Sequence, residues 1–210
     1  MKILKNFVVF EGLDGSGTTT QLNMLERLFL ENRDSTPILY KTFEPTNSSI
    51  GRLIRSNLKG DIVLDGRTLA MLFAADRNEH IYGPEGIVER CERGELVVSD
   101  RYLLSSLVYQ GITCGEELPA LLNRDFPRPE LLIFFDIKSE TAEKRMAGRE
   151  YKEIFETITF QTEAGRRYRK LLPEFVLEGV RVETIDASNP PDEVAREVWK
   201  VIEKMPIFNE

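Results

Sequence analysis

The sequence predicts an α/β protein in which a five-stranded parallel sheet lies between two layers of helices. Short apolar segments, such as residues 7–10 and 131–135, are typical of strands that are buried on both faces of a sheet. Segments of helix length separate these strands, and this alternation produces βαβ units with parallel pairing. Ligands bind such sheets at the carboxyl ends of the strands, so we expect Gly12, Glu44, Asp100 and Asp136, which follow strand ends, to share one crevice.

Each predicted element has a boundary signal in the sequence. Gly12 ends the first strand, Pro45 closes the second, residues 47–49 resemble a helix cap, and Gly83 with Pro84 breaks the third helix. The predicted strands are 7–10, 38–43, 96–99, 131–135 and 181–185. The predicted helices are 18–31, 50–58, 68–82, a short one to about 93, one that carries SSLVYQG, 139–149, 155–177 and 192–203. The polar stretch that leads to Pro129 is predicted to be irregular.

Length and composition limit the possible classes of function. A chain of 210 residues with no linker predicts one domain over 1–210, large enough for a full core. The net charge of −7 argues against a broad surface for nucleic acid or membrane. Cys91 and Cys114 form no C-x-x-C pattern, so neither a disulfide framework nor a zinc site is expected. We find no apolar signal region and no segment of membrane-spanning length, and the cytoplasm is the expected location.

A glycine-rich turn joins the first predicted strand to the first predicted helix. The P-loop pattern G-x-x-x-x-G-K-[ST] is matched by Gly12, Gly17 and Thr19, but Thr18 stands in the lysine position. Backbone N–H groups in such a turn and the helix dipole both favour an anion. A glycine turn without a ligand is the alternative. The predicted ATP-binding residues are Gly12, Leu13, Asp14, Gly15, Ser16, Gly17, Thr18, Thr19 and Thr20.

Oxygen-bearing side chains beside this turn predict a magnesium site for phosphoryl transfer. Thr19 occupies the position of a P-loop Mg²⁺ ligand, and Asp100 follows a strand as the acidic partner. Asp14 and Glu11 lie next to the turn, where a carboxylate could bind metal or a sugar hydroxyl. Capping of the following helix is the alternative role for Asp100. His80 is the only histidine, and a structural role is favoured over catalysis.

Several stretches together resemble one known family over nearly the whole chain. They are FVVFEGLDGSGTTTQ apart from Thr18, FEP, IGRLIR, LFAADRNEHI, SDRYLLSSLVYQG, PELLIFFDI and IDAS. LFAADR together with the DRY-to-YQG stretch is far more specific than the glycine turn. The chain resembles the thymidylate kinases, P-loop nucleoside monophosphate kinases. The resemblance implies transfer of a phosphoryl group from ATP to dTMP with Mg²⁺, a short lid at about 147–156, and no nucleic-acid partner.

The resemblance also implies roles for residues that match the family. Phe73 would stack on thymine and Arg77 would bind its carbonyl oxygen, and spacing of i and i+4 places both on one helix face. Core filling by Phe73 and surface charge on Arg77 are the alternatives. Ser106 would contact the base edge and Tyr109 would exclude ribose. The dTMP-binding residues implied are Glu44, Arg55, Phe73, Arg77, Arg101, Ser106, Tyr109 and Gln110, with Gln110 in loop packing or sugar contact.

The acceptor phosphate and the metal complete the implied site. Arg101 and Arg55 match the arginines that clamp the acceptor phosphate, a role that suits a planar bidentate donor. Asp14 matches the acid near that phosphate and the metal, so Asp14, Thr19 and Asp100 are the predicted metal residues. The catalytic residues predicted are Asp14, Arg101, Arg149 and Lys152. Arg166, Arg167 and Arg169 are predicted to form a solvated or acid-paired face, with contact of one of them to a nucleotide as the alternative.

The chain departs from the family at its cations. Thr18 replaces the lysine, Gly15 occupies the place of a P-loop arginine, and Ile154 that of a lid arginine. Arg145, Arg149 and Lys152 are the nearest replacements. An active thymidylate kinase with compensating lid cations, a kinase for another deoxynucleotide or a nucleoside, and a non-catalytic nucleotide-binding protein all stay open. The apolar helix 68–82 predicts a homodimer, and so does the resemblance, because members of the family are usually homodimers.

Overall fold

A computed structural model describes residues 2–32, 36–147 and 154–208. Its sheet contains five parallel strands in the order β2-β3-β1-β4-β5. The strands are β1 Ile3–Gly12, β2 Leu39–Phe43, β3 Leu96–Asp100, β4 Arg128–Asp136 and β5 Arg181–Asp186. The predicted fold class is confirmed, because helices flank this sheet in three layers.

The described residues form nine α-helices and one 3-10 turn. The helices are α1 Thr18–Glu31, α2 Ser49–Leu58, α3 Gly66–Tyr82, α4 Ile87–Glu92, α5 Leu103–Cys114, α6 Glu117–Asn123, α7 Ser139–Met146, α8 Ile158–Leu177 and α9 Pro191–Ile202. Helices α1 and α9 pack together, and α5 packs against α3, α6 and α8. None of the helices in the described ranges is long and apolar enough to span a membrane.

The core forms where the central strands run between the helix layers. Phe7, Val8, Val9 and Phe10 of β1 are at most 1% exposed, as expected for a strand covered on both faces. The strand begins at Ile3, earlier than the apolar run, because its first residues pair with the start of β4. Strand β2, at the sheet edge, has the mixed burial that its more polar sequence predicts.

Two elements differ from the predictions around prolines. Strand β4 begins at Arg128, so Pro129 lies inside a central strand rather than before it. The strand tolerates this proline because the pairing between β1 and β4 shifts register between Leu4 and Val8, where a missing N–H breaks no regular ladder. Helix α6 was not predicted at all. Its Pro119 lies in the first turn, where a helix accepts proline.

The helices around the predicted lid are shorter than predicted. Helix α7 ends at Met146, and α8 begins at Ile158 after a cap in which the Thr157 hydroxyl accepts a hydrogen bond from Phe160 N at 3.3 Å. Side-chain capping of this kind fixes a helix start that the apolar pattern alone leaves open. Arg149 and Lys152, two of the predicted catalytic residues, lie outside the described residues, as does most of the predicted lid.

Candidate active site

A cleft of about 830 Å³ lies at the carboxyl ends of β1, β2 and β3. The glycine turn forms one end of it, and Phe73 with Arg77 forms the other. Gly12, Glu44 and Asp100 therefore mark one crevice, as predicted. Asp136 does not belong to it. Its carboxylate accepts a hydrogen bond from Arg169 Nη2 at 2.7 Å and lines a separate groove beside α8.

The glycine turn has the backbone geometry of an anion cradle. Gly15 and Gly17 have φ angles of +82° and +97°, which L side chains rarely adopt. Gly17 precedes α1 without a side-chain cap, so the N-terminal amides of α1 stay available for a ligand. The Ser16 hydroxyl is buried and finds no hydrogen-bond partner among the described residues. An oxyanion would give this hydroxyl and these amides an acceptor.

Helix α7 packs directly on this turn and limits which cations can lie there. A Cβ atom added at Gly15 would lie 2.6 Å from the Ala142 carbonyl oxygen, so an arginine at this position would displace α7. Thr18, in the lysine position, is buried. Arg145, on α7, lines the cleft and donates a hydrogen bond to the Ser188 carbonyl at 3.5 Å. Ile154 is exposed and its amide donates to the Leu58 carbonyl at 3.0 Å.

Asp100 and Thr19 meet at the donor end of the cleft. The Thr19 hydroxyl donates a short hydrogen bond to Asp100 Oδ2, while Asp100 Oδ1 is buried without a partner among the described residues. Within the described ranges no three acidic, histidine or cysteine side chains cluster as a metal site. Mg²⁺ commonly binds through one or two protein oxygens together with substrate phosphates and water. The free Asp100 oxygen beside Thr19 fits that ligand set.

Glu11 caps α5, a role that the sequence suggested for Asp100. The Glu11 carboxylate is fully buried and accepts hydrogen bonds from the amides of Tyr102 at 3.0 Å and Ser105 at 3.1 Å, and from the hydroxyls of Ser105 at 2.6 Å and Tyr168 at 3.0 Å. Burial raises the pKa of Glu11 to about 7, and the hydrogen bonds from Ser105 oppose that rise. The predicted alternative, a Glu11 carboxylate open to metal or sugar, is wrong.

Arg101 joins the glycine turn to the rest of the cleft. Its Nη1 donates to the Gly12 carbonyl at 2.9 Å, and its Nη2 donates to Asp14 Oδ1. Arg101 has a φ of +71°, a strained value for a side chain with a Cβ, which the surrounding contacts must hold. Its guanidinium lies 5.3 Å from the centre of the Tyr109 ring. Arg101 thus faces both the donor loop and the aromatic wall of the cleft.

Asp14 is held by three side chains. Arg101 donates to Oδ1, while Oδ2 accepts hydrogen bonds from Gln161 Nε2 at 2.7 Å and Tyr109 Oη at 3.2 Å. Burial first, and the Asp14 charge second, raise the pKa of Tyr109, so its phenol stays neutral and donates. Because both carboxylate oxygens are engaged, Asp14 is a weaker candidate metal ligand than Asp100.

The opposite end of the cleft contains a buried network around Arg77. Its Nε and Nη2 donate to Glu44 Oε2 at 2.9 and 2.6 Å, its Nη2 also donates to Ser106 Oγ at 3.0 Å, and its Nη1 donates to Asn123 Oδ1. The guanidinium also lies 5.1 Å from the centre of the Tyr102 ring. Arg77 is 1% exposed, which excludes the alternative of a surface charge. Ser106 and Glu44, two of the residues implied to bind dTMP, share its network.

The remaining predicted acceptor residues also line the cleft. Phe73 is half-buried and packs against the core while it contributes to the wall. Arg55 donates through Nη2 to the Thr46 carbonyl at 2.9 Å and stacks 5.2 Å from the Phe43 ring centre. Gln110 is buried, and its Oε1 lacks a partner among the described residues. Tyr109 packs against the rings of Phe155, Phe160 and Tyr168.

Sequence reasoning missed Gln161, Tyr168 and Asn123. Gln161 and Tyr168 come from α8, and no local pattern shows that this helix crosses the glycine turn. Asn123 is the last residue of α6, the helix that was not predicted because it contains a proline. Their only signal in the sequence is a polar side chain at a position that the helix period would make apolar. Such a position indicates a buried partner without identifying it.

The residues for which a structural or surface role was favoured do not line the cleft. His80 contacts Thr42 Oγ1 at 2.6 Å and Glu44 Oε1 at 3.1 Å and lines no part of the cleft. Arg166 and Arg167 pair with Glu163, and Arg169 pairs with Asp136. Cys91 and Cys114 are free cysteines.

Comparison with known proteins agrees with this geometry. Residues 10–198 match the family model described as thymidylate kinase. A "Putative thymidylate kinase" of Treponema pallidum (strain Nichols) is 42% identical over 172 residues, which are 81% of this chain and 81% of that protein. A "Probable thymidylate kinase" of Pyrobaculum aerophilum is 39% identical over 204 residues, 96% of this chain and 98% of that protein. Another "Probable thymidylate kinase", of Methanococcus vannielii, is 41% identical over 170 residues, 80% of this chain and 78% of that protein.

Proposed function

The chain belongs to the thymidylate kinase family, and from this membership we propose that it transfers the γ-phosphoryl group of ATP to dTMP and so produces dTDP. It is a nucleoside monophosphate kinase, a phosphotransferase of nucleotide biosynthesis. The observation that carries the proposal is that one cleft contains both an uncapped glycine cradle and the set formed by half-buried Phe73 with buried Arg77 and Ser106. A donor and an acceptor can therefore lie in the same cavity.

In the proposed reaction the donor phosphates bind the backbone cradle of residues 12–20, and the dTMP phosphate meets them beside Arg101. Positioning and charge neutralisation supply most of the catalysis in phosphoryl transfer. Arg101 is already oriented by the Gly12 carbonyl and by Asp14, which itself is fixed by Gln161 and Tyr109. Arg101 thus faces the incoming phosphates with little rearrangement, and Arg55 provides the second cation for the acceptor.

We propose that thymine stacks on Phe73 and that its edge meets Arg77 and Ser106. Glu44 fixes the Arg77 guanidinium, which leaves the remaining N–H of Nη1 for a base carbonyl. Tyr109 lies between Asp14 and the aromatic wall, where its ring would exclude a ribose 2′-hydroxyl. Gln110 Oε1, buried without a partner among the described residues, is available to a sugar hydroxyl.

Thr19 and Asp100 are the proposed residues for Mg²⁺, with Asp14 close by. The support is the unpartnered Asp100 Oδ1 beside the Thr19 hydroxyl. When bound, Mg²⁺ supplies charge neutralisation on the transferred phosphoryl group. Arg149 and Lys152 remain proposed lid cations. The single domain over 1–210 with a lid at 147–156 also remains a proposal.

The test is an assay of ADP release with dTMP, ATP and Mg²⁺, with dUMP, dCMP and thymidine as competing acceptors. We expect turnover to be fastest with dTMP. Faster turnover with another acceptor would reassign the substrate. A Thr18→Lys variant, run in parallel, restores the P-loop lysine. Negligible turnover by the natural chain together with an active Thr18→Lys variant would refute the proposed activity for this chain.

A homodimer in the cytoplasm completes the proposal. Helix α3 keeps Met71 49% exposed although its neighbours pack on the core, which supports a pairing surface on this helix. Light scattering behind a sizing column should give a mass near twice the 24.1 kDa of the chain. A mass of one chain at micromolar concentration would contradict the dimer.

A further inference from the structure

The five residues 44–48, between β2 and α2, are gripped by two consecutive side chains of α3. Arg77 holds the first residue of this 44–48 segment through its bonds to Glu44. Asp76 holds two of the other residues, because it accepts hydrogen bonds from Thr46 and Ser48. Arg77 is part of the proposed base pocket, but Asp76 has no role in it so far.

Polar groups of the 44–48 segment supply the hydrogen bonds that the buried Asp76 carboxylate needs. Asp76 Oδ2 accepts from the Thr46 amide at 2.7 Å, and Oδ1 accepts from the hydroxyls of Thr46 at 2.6 Å and Ser48 at 2.7 Å. The side chain is 1% exposed, and within the described ranges no cationic side chain forms an ion pair with it. A buried carboxylate is tolerated only when hydrogen bonds replace its hydration. The segment supplies those bonds and is thereby fixed.

The same segment orients Arg55. Arg55 Nη2 donates to the carbonyls of Pro45 and Thr46 and to Asn47 Oδ1, and its guanidinium stacks over Phe43. Its Nε and Nη1 have no hydrogen-bond partner among the described residues, and the side chain lines the cleft. The segment therefore holds one side of the guanidinium fork and leaves the other side for a ligand.

The approach of α2 to this segment is unusually close. A Cβ atom added at Gly51 would lie 2.0 Å from the Thr46 carbonyl oxygen, so only glycine fits there. The Ser48 hydroxyl, bound to Asp76, also accepts from the Gly51 amide at 3.0 Å and caps α2. Arg55 lies one turn further along α2. Asp76 thus fixes both the carbonyls that bind Arg55 and the start of the helix that carries it.

We propose that Asp76 is a positioning residue for the phosphate of the acceptor, acting through the 44–48 segment on Arg55. This inference rests on the proposed function, in which Arg55 binds the dTMP phosphate. It predicts that Asp76 affects binding of the acceptor phosphate but not binding of the base. The phosphate contact depends on Asp76, whereas stacking of the base on Phe73 does not.

The test compares binding of dTMP and of thymidine, which lacks the phosphate, by calorimetry on the full chain. The Asp76→Asn variant keeps the shape but replaces one acceptor oxygen with an amide that cannot accept from Thr46. We expect dTMP to bind about tenfold to a hundredfold more weakly, because hydrogen bonds to a charged group are lost, while thymidine changes less than about twofold. In turnover, KM for dTMP rises and KM for ATP stays constant. Asn78→Ala, on an exposed position of α3, is the matched control and should change the affinity for neither ligand.

A double-mutant cycle with Arg55→Ala tests the route. Arg55→Ala should give the same phosphate-selective loss, and the double variant should lose little more than either single variant. Two results would overturn the inference. One is that the losses of dTMP affinity in the two single variants add in the double variant. The other is that a variant loses as much affinity for thymidine as for dTMP. If Asp76→Asn fails to fold, Thr46→Val removes one of the three bonds and should give a smaller, equally selective loss. A natural chain that binds neither ligand would refute the proposed function, whereas equal affinity for dTMP and thymidine would refute this inference.

Discussion

The two ends of the cleft differ in how completely their polar atoms are satisfied. At the acceptor end, Arg77 donates four hydrogen bonds to protein side chains, and among the buried polar atoms Gln110 Oε1 is the exception that lacks a partner in the described part of the chain. At the donor end, Ser16 Oγ and Asp100 Oδ1 are both buried without a partner among the described residues. The acceptor end is therefore preorganised by the fold, whereas the donor end keeps atoms whose partners a ligand must supply.

The residues at which the chain departs from its family lie at only one of these two ends. The missing lysine and the missing arginines affect only the donor end, where a ligand completes the site. The acceptor end tolerates little change, since removing one member of a buried network leaves its partners unsatisfied. Substitutions at either end of the cleft, and at the point where the two ends meet, test this comparison.

Arg101 lies where the two ends meet, so its removal should have the largest effect. We expect Arg101→Ala to lower kcat by about a factor of 10³ or more, because no other described side chain contacts both the Gly12 carbonyl and Asp14. Steady-state kinetics of ADP release measure this. Arg166→Ala, exposed and paired with Glu163, is the control that should keep full activity. A loss below about tenfold would show that the ends do not meet at Arg101.

Glu11 lies beneath this junction and should give the protein a distinctive pH dependence. Between pH 4.5 and about 7 the native protein holds a proton that the unfolded chain has released, so stability falls as pH rises through this interval. The rise in the pKa of Glu11 from 4.5 to about 7 corresponds to a decrease of about 3 kcal/mol in the free energy of unfolding. We expect Glu11→Gln, which keeps the cap of α5, to lack this loss.

Urea denaturation of both proteins at pH 5 and pH 8 measures the effect of Glu11. The difference in unfolding free energy between the natural chain and Glu11→Gln should change by about 3 kcal/mol across that interval. Parallel pH dependence of the two proteins would mean that Glu11 stays ionised in the native state.

Asp100 should control the response to magnesium without affecting the acceptor. We expect Asp100→Asn to raise the Mg²⁺ concentration for half-maximal activity by roughly tenfold to a hundredfold, with KM for dTMP unchanged. Asp136→Asn is the matched control, since Asp136 also is the last residue of a strand but pairs with Arg169 outside the cleft. An equal Mg²⁺ response in both variants would remove Asp100 from the metal site.

Tyr109 should give the smallest effect, because it acts on selectivity. We expect Tyr109→Ala to improve turnover of a ribonucleotide relative to dTMP by about tenfold, since the ring would no longer occlude the 2′-hydroxyl. Tyr109→Phe loses the hydrogen bond to Asp14 but keeps the ring, so its ratio should stay near that of the natural chain. If both variants change the ratio equally, the hydroxyl rather than the ring sets selectivity.

Local sequence patterns were sufficient to predict the sheet, its strands and the glycine turn. Apolar runs such as residues 7–10 and 131–135 have one stable environment, the centre of a covered parallel sheet, so their pattern is a local signal. Capping at Ser48 and breaks at Gly83 are equally local, and α1 and α2 match their predictions within one residue. The roles predicted for Phe73, Arg77 and Ser106 have another origin, because they were implied by the resemblance of LFAADR and the DRY-to-YQG stretch to a known family.

Which polar groups pair with each other depends on how elements distant in the sequence pack together. Glu11 caps α5 across 91 positions in sequence, and Gln161 reaches Asp14 across 147. A carboxylate or amide in a sequence shows that a partner is needed when it is buried, but not which one, because the partner is set by how helices cross the sheet. Pro129 and α6 escaped prediction for a related reason, since proline is tolerated where neighbouring strands or a helix start leave an N–H unused. The hydrogen bonds of Asp76 to residues 44–48 are another long-range pairing of this kind, because they form only where α3 packs against that segment.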